Sequence, residues 1–383
     1  MRKVYLDNGS TSFPKAPGTG EAMSDFMTHV GCNVSRGGYQ SAYAMGEVVY
    51  ETRERLAKLF NFPQPGKVVF TPGITYSLNY VIQGLLRPGD HLIISAMEHN
   101  AVSRPAYKMK EHGVEVTVCP CDKEGYLDLD AFEKAIKKNT RLAVINHASN
   151  VAGTLQDVEK IGRICMHHGV YFALDTAQSA GTVPIDFQAM HLDALCVTGH
   201  KGLLGPQGIG ALMMTDAFAQ ELQPVILGGT GSVSHLQTMP DFLPDKFEAG
   251  TMNLPGIVGM HKALEFILKE TPEKIGAQEL DRAMRFIDGL KDIPQAHVIG
   301  PQGREGRTAV VSVDFDEIDN AEMSSILDSE FGIMTRCALH CAPLAHKTLG
   351  TFPEGTVRFA FGYWTTEEEV DYALQAIRSI YAE

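Results

Sequence analysis

The sequence predicts an α/β protein in which a mostly parallel, seven-stranded sheet forms a larger unit and a smaller α+β unit follows. Two observations carry this reading. Short, near-continuous apolar runs alternate with helical patterns up to Met214, as strands covered on both faces do. Around Gly228-Gly229-Thr230-Gly231 the composition turns to glycine, serine and proline, and helical patterning then resumes. With 383 residues the chain is long enough for two cores.

In chain order, Val4-Tyr5-Leu6-Asp7 reads as a short strand and Asn8-Gly9-Ser10-Thr11-Ser12 as a polar turn. A helix-like stretch follows, then Asn33-Val34-Ser35-Arg36-Gly37-Gly38, a loop rich in turn formers. An amphipathic helix is expected from about Ser41 to Phe60, ending before Asn61 and Pro63. Strands are expected at Val68–Phe70, His91–Ser95, Val114–Val118, Leu142–Asn146, Val170–Leu174, Ala194–Val197 and Gly210–Met214. Helical patterns at Asp130–Lys138 and Asp157–His168 lie between them. Downstream come helices at Gly256–Glu270 and Pro272–Leu290, strands at Ala309–Val313 and Val357–Phe361, and a last helix over about Thr366–Tyr381. No internal repeat interrupts this order.

Composition excludes several classes. A formal charge of −13 argues against nucleic acid and anionic membrane surfaces, both of which recruit basic patches. No apolar run reaches the roughly 18–20 residues of a membrane span. The start, Met1-Arg2-Lys3-Val4, is followed by no apolar segment of the secretory kind, so a cytoplasmic location is expected. Seven cysteines, an odd number, do not read as a disulfide framework.

In an open parallel sheet, functional residues gather just past the carboxyl ends of the strands. Gly73-Ile74-Thr75 follows a strand and opens a helix, where free N–H groups favour an anion; an ordinary threonine N-cap is the alternative. His99, in Glu98-His99-Asn100, could stack on a planar ligand or simply hydrogen-bond within its loop. Asn150 follows the fourth strand candidate. Asp175, directly after four apolar residues, needs a cation or hydrogen bonds if buried; the alternative is a helix N-cap. Thr198-Gly199-His200-Lys201 ends the sixth. A lysine desolvated at a strand end loses proton affinity and becomes the nucleophilic amine that Schiff-base chemistry needs.

These residues, glycine-threonine loop, His99, Asn150, Asp175-x-x-Gln178 and Thr198-Gly199-His200-Lys201, stand in the order found in fold-type I pyridoxal-phosphate (PLP) enzymes. The chain resembles the class V aminotransferase group and within it the cysteine desulfurase and selenocysteine lyase family, over nearly its whole length. The resemblance implies a large PLP-binding domain over 15–250, and a small domain of 1–14 and 251–383 carrying the catalytic cysteine. It implies that Lys201 holds PLP and shuttles protons, that Asp175 pairs with the pyridine nitrogen and that His99 stacks on the ring. Asn150 and Gln178 would reach the phenolic oxygen. Gly73, Ile74, Thr75, Thr198 and His200 would bind phosphate, although the family's loop often reads Gly-Thr-Thr here. Thr251, in Phe247-Glu248-Ala249-Gly250-Thr251-Met252-Asn253, would reach the phosphate of a neighbouring subunit, which implies a homodimer with shared sites.

The stretch Thr335-Arg336-Cys337-Ala338-Leu339-His340-Cys341-Ala342-Pro343-Leu344 resembles the family's catalytic-cysteine segment, with Cys-Ala-Leu-His where the branch usually has Thr-Gly-His-His. Cys341 is the implied nucleophile toward the sulfur of L-cysteine or the selenium of L-selenocysteine, leaving alanine and a persulfide. Cationic Arg336 or His340 would favour the thiolate, which is the nucleophilic form. Arg358, mid-strand in Val357-Arg358-Phe359, suits a substrate carboxylate; an internal salt bridge is the alternative. Arg336, His340 and Asn150 complete the substrate-side set. A sulfur-acceptor protein is implied, whether a scaffold for iron–sulfur assembly or another carrier. Two other readings stay open: another class V transaminase, lyase or epimerase, or a metal module built from Cys337, His340, Cys341 and His346.

Overall fold

Residues 2–34 and 37–382 are described by the computed structural model, so Ser35 and Arg36 of the expected loop lie outside the described residues. The chain opens with β1 (Val4–Tyr5), passes through α1 (Thr19–Asp25) and enters α2 (Gln40–Leu59). Along α2 the buried residues Ala42, Met45, Val49, Leu56 and Ala57 recur at helical spacing, which lays one stripe against the core. Then come β2 (Val69–Thr71), α3 (Ile74–Leu85), β3 (His91–Ser95), α4 (Asn100–Glu111), β4 (Glu115–Cys119) and α5 (Leu129–Lys134). The alternation continues with β5 (Thr140–Asn146), α6 (Val158–His168), β6 (Tyr171–Asp175), β7 (Ala194–Thr198), β8 (Gly210–Met214) and α7 (Asp216–Glu221). All seven expected strands are present. Helix α5 stops four residues short of the expected Lys138.

These seven strands form one sheet in the order β2-β8-β7-β6-β5-β3-β4. Strand β8 runs antiparallel to both β2 and β7, and the other contacts are parallel. Every residue of β3, β7 and β8 is buried, the outcome expected for strands sandwiched between helical layers. The carboxyl ends of β3, β5, β6 and β7 therefore lie side by side on one edge, with Asn146 opposite Asp175 in register.

The chain then forms α8 (Leu254–Glu270), α9 (Pro272–Leu290), β9 (Ala296–Ile299), β10 (Val310–Phe315), α10 (Asn320–Ser329), β11 (Ile333–Met334), α11 (Pro343–Leu349), β12 (Val357–Ala360) and α12 (Glu367–Ile380). Strands β12, β10 and β9 make a three-stranded antiparallel sheet, and β1 pairs with β11. Val4, Leu6, Phe286, Val311, Phe359, Val370 and Ile377 share its core. Helix α8 lies past the composition change, yet Ile257, Met260 and Leu264 belong to the larger core. The two cores meet between α8 and α9. Among the described residues no helix is long and apolar enough to cross a membrane.

Candidate active site

A cavity of about 270 Å³ opens where the strand ends meet the smaller unit. Ile74, Thr75, His99, Asn150, Asp175, Gln178, His200, Lys201, Arg336, His340, Cys341 and Arg358 all line it. Thus nearly every residue singled out from the sequence converges on one space, although the positions span 285 residues.

The anion end is built by the turn from β2 into α3. Gly73 caps α3 without a side-chain hydrogen bond, so the expected threonine N-cap does not form; Thr75 lies inside the first turn and is exposed. Thr198 is buried beside this turn, close to Gly73. His200 Nδ1 is buried without a hydrogen-bond partner. Burial, followed by the charges of Lys201 and Lys15, lowers the His200 pKa to about 4. Free helix N–H groups, a hydroxyl and an unpartnered imidazole nitrogen make a fitting cradle for a phosphate group.

In the middle of the cavity, Lys201 follows β7. Burial lowers its pKa to about 8, with Arg358 acting in the same direction and Asp175 opposing. Asp175 is the last residue of β6, not a helix cap, and its Oδ1 accepts only the Ala177 N–H at 2.9 Å. Burial raises its pKa while the Ala177 N–H and Lys201 pull against that shift. A carboxylate at this depth calls for a cationic partner. His99 caps α4 by accepting the Ala101 N–H at Nδ1 (3.0 Å). Burial first, then Lys201 and three arginines, bring its pKa down to about 4, so the ring is neutral with its proton on Nε2.

At the far end, Arg358 on β12 is 2% exposed and donates to Asp7 Oδ1 (2.8 Å), Ser10 Oγ (2.8 Å) and the Asn150 carbonyl (3.1 Å). The internal salt bridge is therefore real, and Nε of Arg358 is left without a partner. Arg336 donates to Ser10 Oγ (2.8 Å) and to Cys341 Sγ (3.7 Å). Cys341 is exposed at the rim. Its segment is held by the Asn100 N–H on its own carbonyl (2.8 Å) and by Asn150 Nδ2 on the His340 carbonyl (2.8 Å). The backbone here is strained, with left-handed φ at Ala338 (78°), His340 (46°) and Cys341 (59°).

The expected charge on His340 needs correction. His340 is not a cation beside the thiol: burial, then Arg358, His346 and Arg336, push its pKa down to about 2, and its Nε2 pairs with Thr356 Oγ1. Arg336, 3.7 Å from Cys341 Sγ, supplies a positive charge there. Gln178 Nε2 donates one hydrogen to the Gly9 carbonyl (2.9 Å), and Asn150 Nδ2 donates one to the His340 carbonyl (2.8 Å). Thr251 is exposed and lines a separate cleft with Phe70, Tyr76 and Phe247. Among the described residues no group of three or more His, Cys, Asp or Glu side chains could hold a metal ion, so Cys337, His340, Cys341 and His346 do not come together as one.

Sequence reasoning gave no role to Asp7, Ser10 or the Thr11-Ser12-Lys15 cluster. The His200 carbonyl accepts the Ser12 N–H (2.9 Å), both hydroxyls (3.1 and 3.2 Å) and Lys15 Nζ (2.8 Å). Residues 7–15 thus strap the arginine end to the peptide that carries Lys201. Their signal, an unremarkable polar turn, says nothing of partners almost 200 and 350 positions away.

The aminotransferase class-V family model matches residues 4–373. A probable cysteine desulfurase of Methanothermobacter thermautotrophicus is 33% identical, covering 98% of this chain and 94% of its own. The cysteine desulfurase IscS of Photobacterium profundum is 33% identical over 98% and 92%. Among solved structures, an apo cysteine desulfurase from Thermococcus onnurineus NA1 matches with a TM-score of 0.91 at 30% identity, covering 99% of this chain and 94% of that one. The S-sulfonic acid form of the cysteine desulfurase CsdA of Escherichia coli gives 0.88 at 28% identity, with 99% and 95% covered.

Proposed function

The chain belongs to the aminotransferase class-V family and within it to the cysteine desulfurases, PLP enzymes as a group, and from that premise we propose that it takes the sulfur from L-cysteine, leaves L-alanine, and carries the sulfur on Cys341. The observation that carries this reading is the convergence of a desolvated amine (Lys201), a buried carboxylate (Asp175) and an exposed thiol beside a guanidinium (Cys341 with Arg336) on one cavity.

The residues present fit pyridoxal phosphate. His200 Nδ1, Thr198 and the start of α3 would hold its phosphate, Asp175 would face its ring nitrogen, and neutral His99 would lie against the ring. When bound, the cofactor supplies an electron sink that makes the α-proton of an amino acid removable. Lys201, with its pKa near 8, exists partly as free amine at neutral pH, so Nζ can take up that proton and return it. Arg358 presents a rigid fork to the substrate carboxylate, already oriented by Asp7 and Ser10. The Cys341 thiolate attacks the substrate sulfur. An S–S bond forms as the substrate C–S bond breaks, the electron pair passes to the substrate side and a proton completes alanine. Arg336 keeps positive charge at the attacking sulfur.

Cys341 stands exposed, which gives a sulfur-acceptor protein access to the persulfide. Thr251, exposed on its own cleft, fits a role toward the cofactor phosphate of a second copy in a homodimer.

The test measures alanine, sulfide and selenide from L-cysteine and L-selenocysteine with the wild type, Cys341→Ala and Lys201→Ala. The wild type is expected to be yellow and to release alanine. Cys341→Ala keeps the colour and loses cysteine turnover at least a hundredfold, while Lys201→Ala loses the borohydride-fixed label. Alanine formed from L-cysteine at wild-type rate by Cys341→Ala overturns the persulfide step, and a colourless wild type overturns the cofactor.

A further inference from the structure

Glu98 ends the β3 loop directly before His99 and is 0% exposed. Its Oε1 accepts two hydrogen bonds, from Ser95 Oγ (2.5 Å) and from the Asn146 N–H (3.0 Å). Its Oε2 is buried and has no partner. Beside it, Asn146 Nδ2 donates one hydrogen to the Met97 carbonyl (3.0 Å), and its Oδ1 is likewise buried without a donor. Each of these two side chains, joined through the Asn146 N–H, thus buries one oxygen that no donor reaches. A carboxylate has no hydrogen to give, whereas a carboxylic acid has one.

The surroundings favour the acid. Among the described residues Glu98 forms no ion pair, and Asp175 at the end of β6 adds negative charge near it; the Cys121 thiol beyond β4 is neutral, its pKa raised to about 12 by burial. His147, at the end of β5, is buried and neutral, its pKa lowered to about 4 by burial. His99 on the adjoining position is neutral as well. An ionised Glu98 would place a charge without a cationic partner in a fully buried layer, at a cost that groups of this kind avoid by keeping their proton.

We infer that Glu98 is carried as a neutral carboxylic acid, a positioning residue that donates from Oε2 within the buried layer, ties the end of β3 to the end of β5, and sets His99 over the cavity. In this role it also leaves Asp175 without a competing negative charge for any cation in the cavity. Burial, opposed by the Ser95 and Asn146 hydrogen bonds and aided by Asp175, raises its pKa to about 8, consistent with this state at neutral pH.

The test requires neither cofactor nor turnover, so it stands apart from the reaction proposed above. Glutamine keeps the shape of the acid and supplies the missing donor, so Glu98→Gln mimics the neutral form. The melting temperature of the full chain is measured from pH 5 to pH 9 for the wild type and Glu98→Gln. Because folding retains a proton that the unfolded chain sheds above its ordinary carboxyl pKa, the variant is expected to gain on the wild type steadily as pH rises toward 8 and then hold level. A difference that stays constant with pH shows a carboxylate and overturns the inference. If Glu98→Gln does not fold, infrared spectra of Glu279→Gln with 13C-glutamate labelling give the answer. Glu279 is the other glutamate whose pKa is raised strongly by burial. A glutamate carboxylic-acid band that persists at pH 7 supports a neutral Glu98, and its absence refutes it.

Discussion

Ala338 occupies a left-handed φ of 78° in the segment leading to Cys341, a conformation that costs an L-residue roughly 1 kcal/mol and glycine almost nothing. Ala338→Gly should therefore stabilise the protein by about 1 kcal/mol, offset in part by the entropy glycine adds to the unfolded chain, as read by denaturant titration. Destabilisation would show that the strain is relieved elsewhere. The resemblance to the desulfurases has glycine at this position, so the sequence flagged the departure; what it could not show was that His340 and Cys341 share the left-handed backbone. Other residues were legible only in context. Lys201, Asp175 and Cys341 each have a bland explanation alone and stand out through their order along the chain and the motifs around them. Asp7 and Ser10 did not, because their function is a partner on β12 and no local pattern encodes a contact across the whole chain.

The elements that the sequence made plain are those that bury both faces. Strands β3, β5, β7 and β8 read as continuous apolar runs because helices cover them on either side. Strand β9 did not, since all four of its residues remain partly or fully exposed at a sheet edge, and α10 buries only Asn320, Met323 and Leu327. The contact between β8 and the α3 turn has a sharper requirement. A Cβ on Gly210 would meet the Val197 carbonyl oxygen at 2.5 Å and Gly73 Cα at 2.9 Å. Gly210→Ala should push β8 from β7 and displace the anion turn, costing about 2 kcal/mol or more. Differential scanning fluorimetry with and without PLP reads both effects, with the stabilisation by PLP lost along with the turn.

Between the two cores lies Glu279 on α9, 9% exposed, lining a small cavity with Lys201 and Gln178. Burial raises its pKa from 4.5 to about 8, with a Tyr363 backbone hydrogen bond opposing. Above about 4.5 the unfolded chain releases this proton and the folded chain keeps it, so the stability of the seam falls as pH rises and levels off above about 8. Glu279→Gln should remove that slope, and the gap in unfolding free energy between variant and wild type should widen by about 3 kcal/mol from pH 5 to pH 8. Parallel denaturation curves at both pH values, with no change in the gap, would contradict a protonated seam.

The ion pair of Asp7 with Arg358 joins residues 351 positions apart. A chain made from its N-terminus exposes Asp7 and Ser10 first, and these must wait for β12 to be synthesised before the arginine end of the cavity exists. Lys201 and the anion turn are complete long before that. On the proposed function, a chain still lacking β12 has the amine and the anion turn but not the Arg358 that would hold a substrate carboxylate, and the Cys341 segment, pinned by Asn100 and Asn150, is made only shortly before it. On that reading, synthesis itself acts as the safety catch: the parts that would release sulfur come together only once β12 has been made.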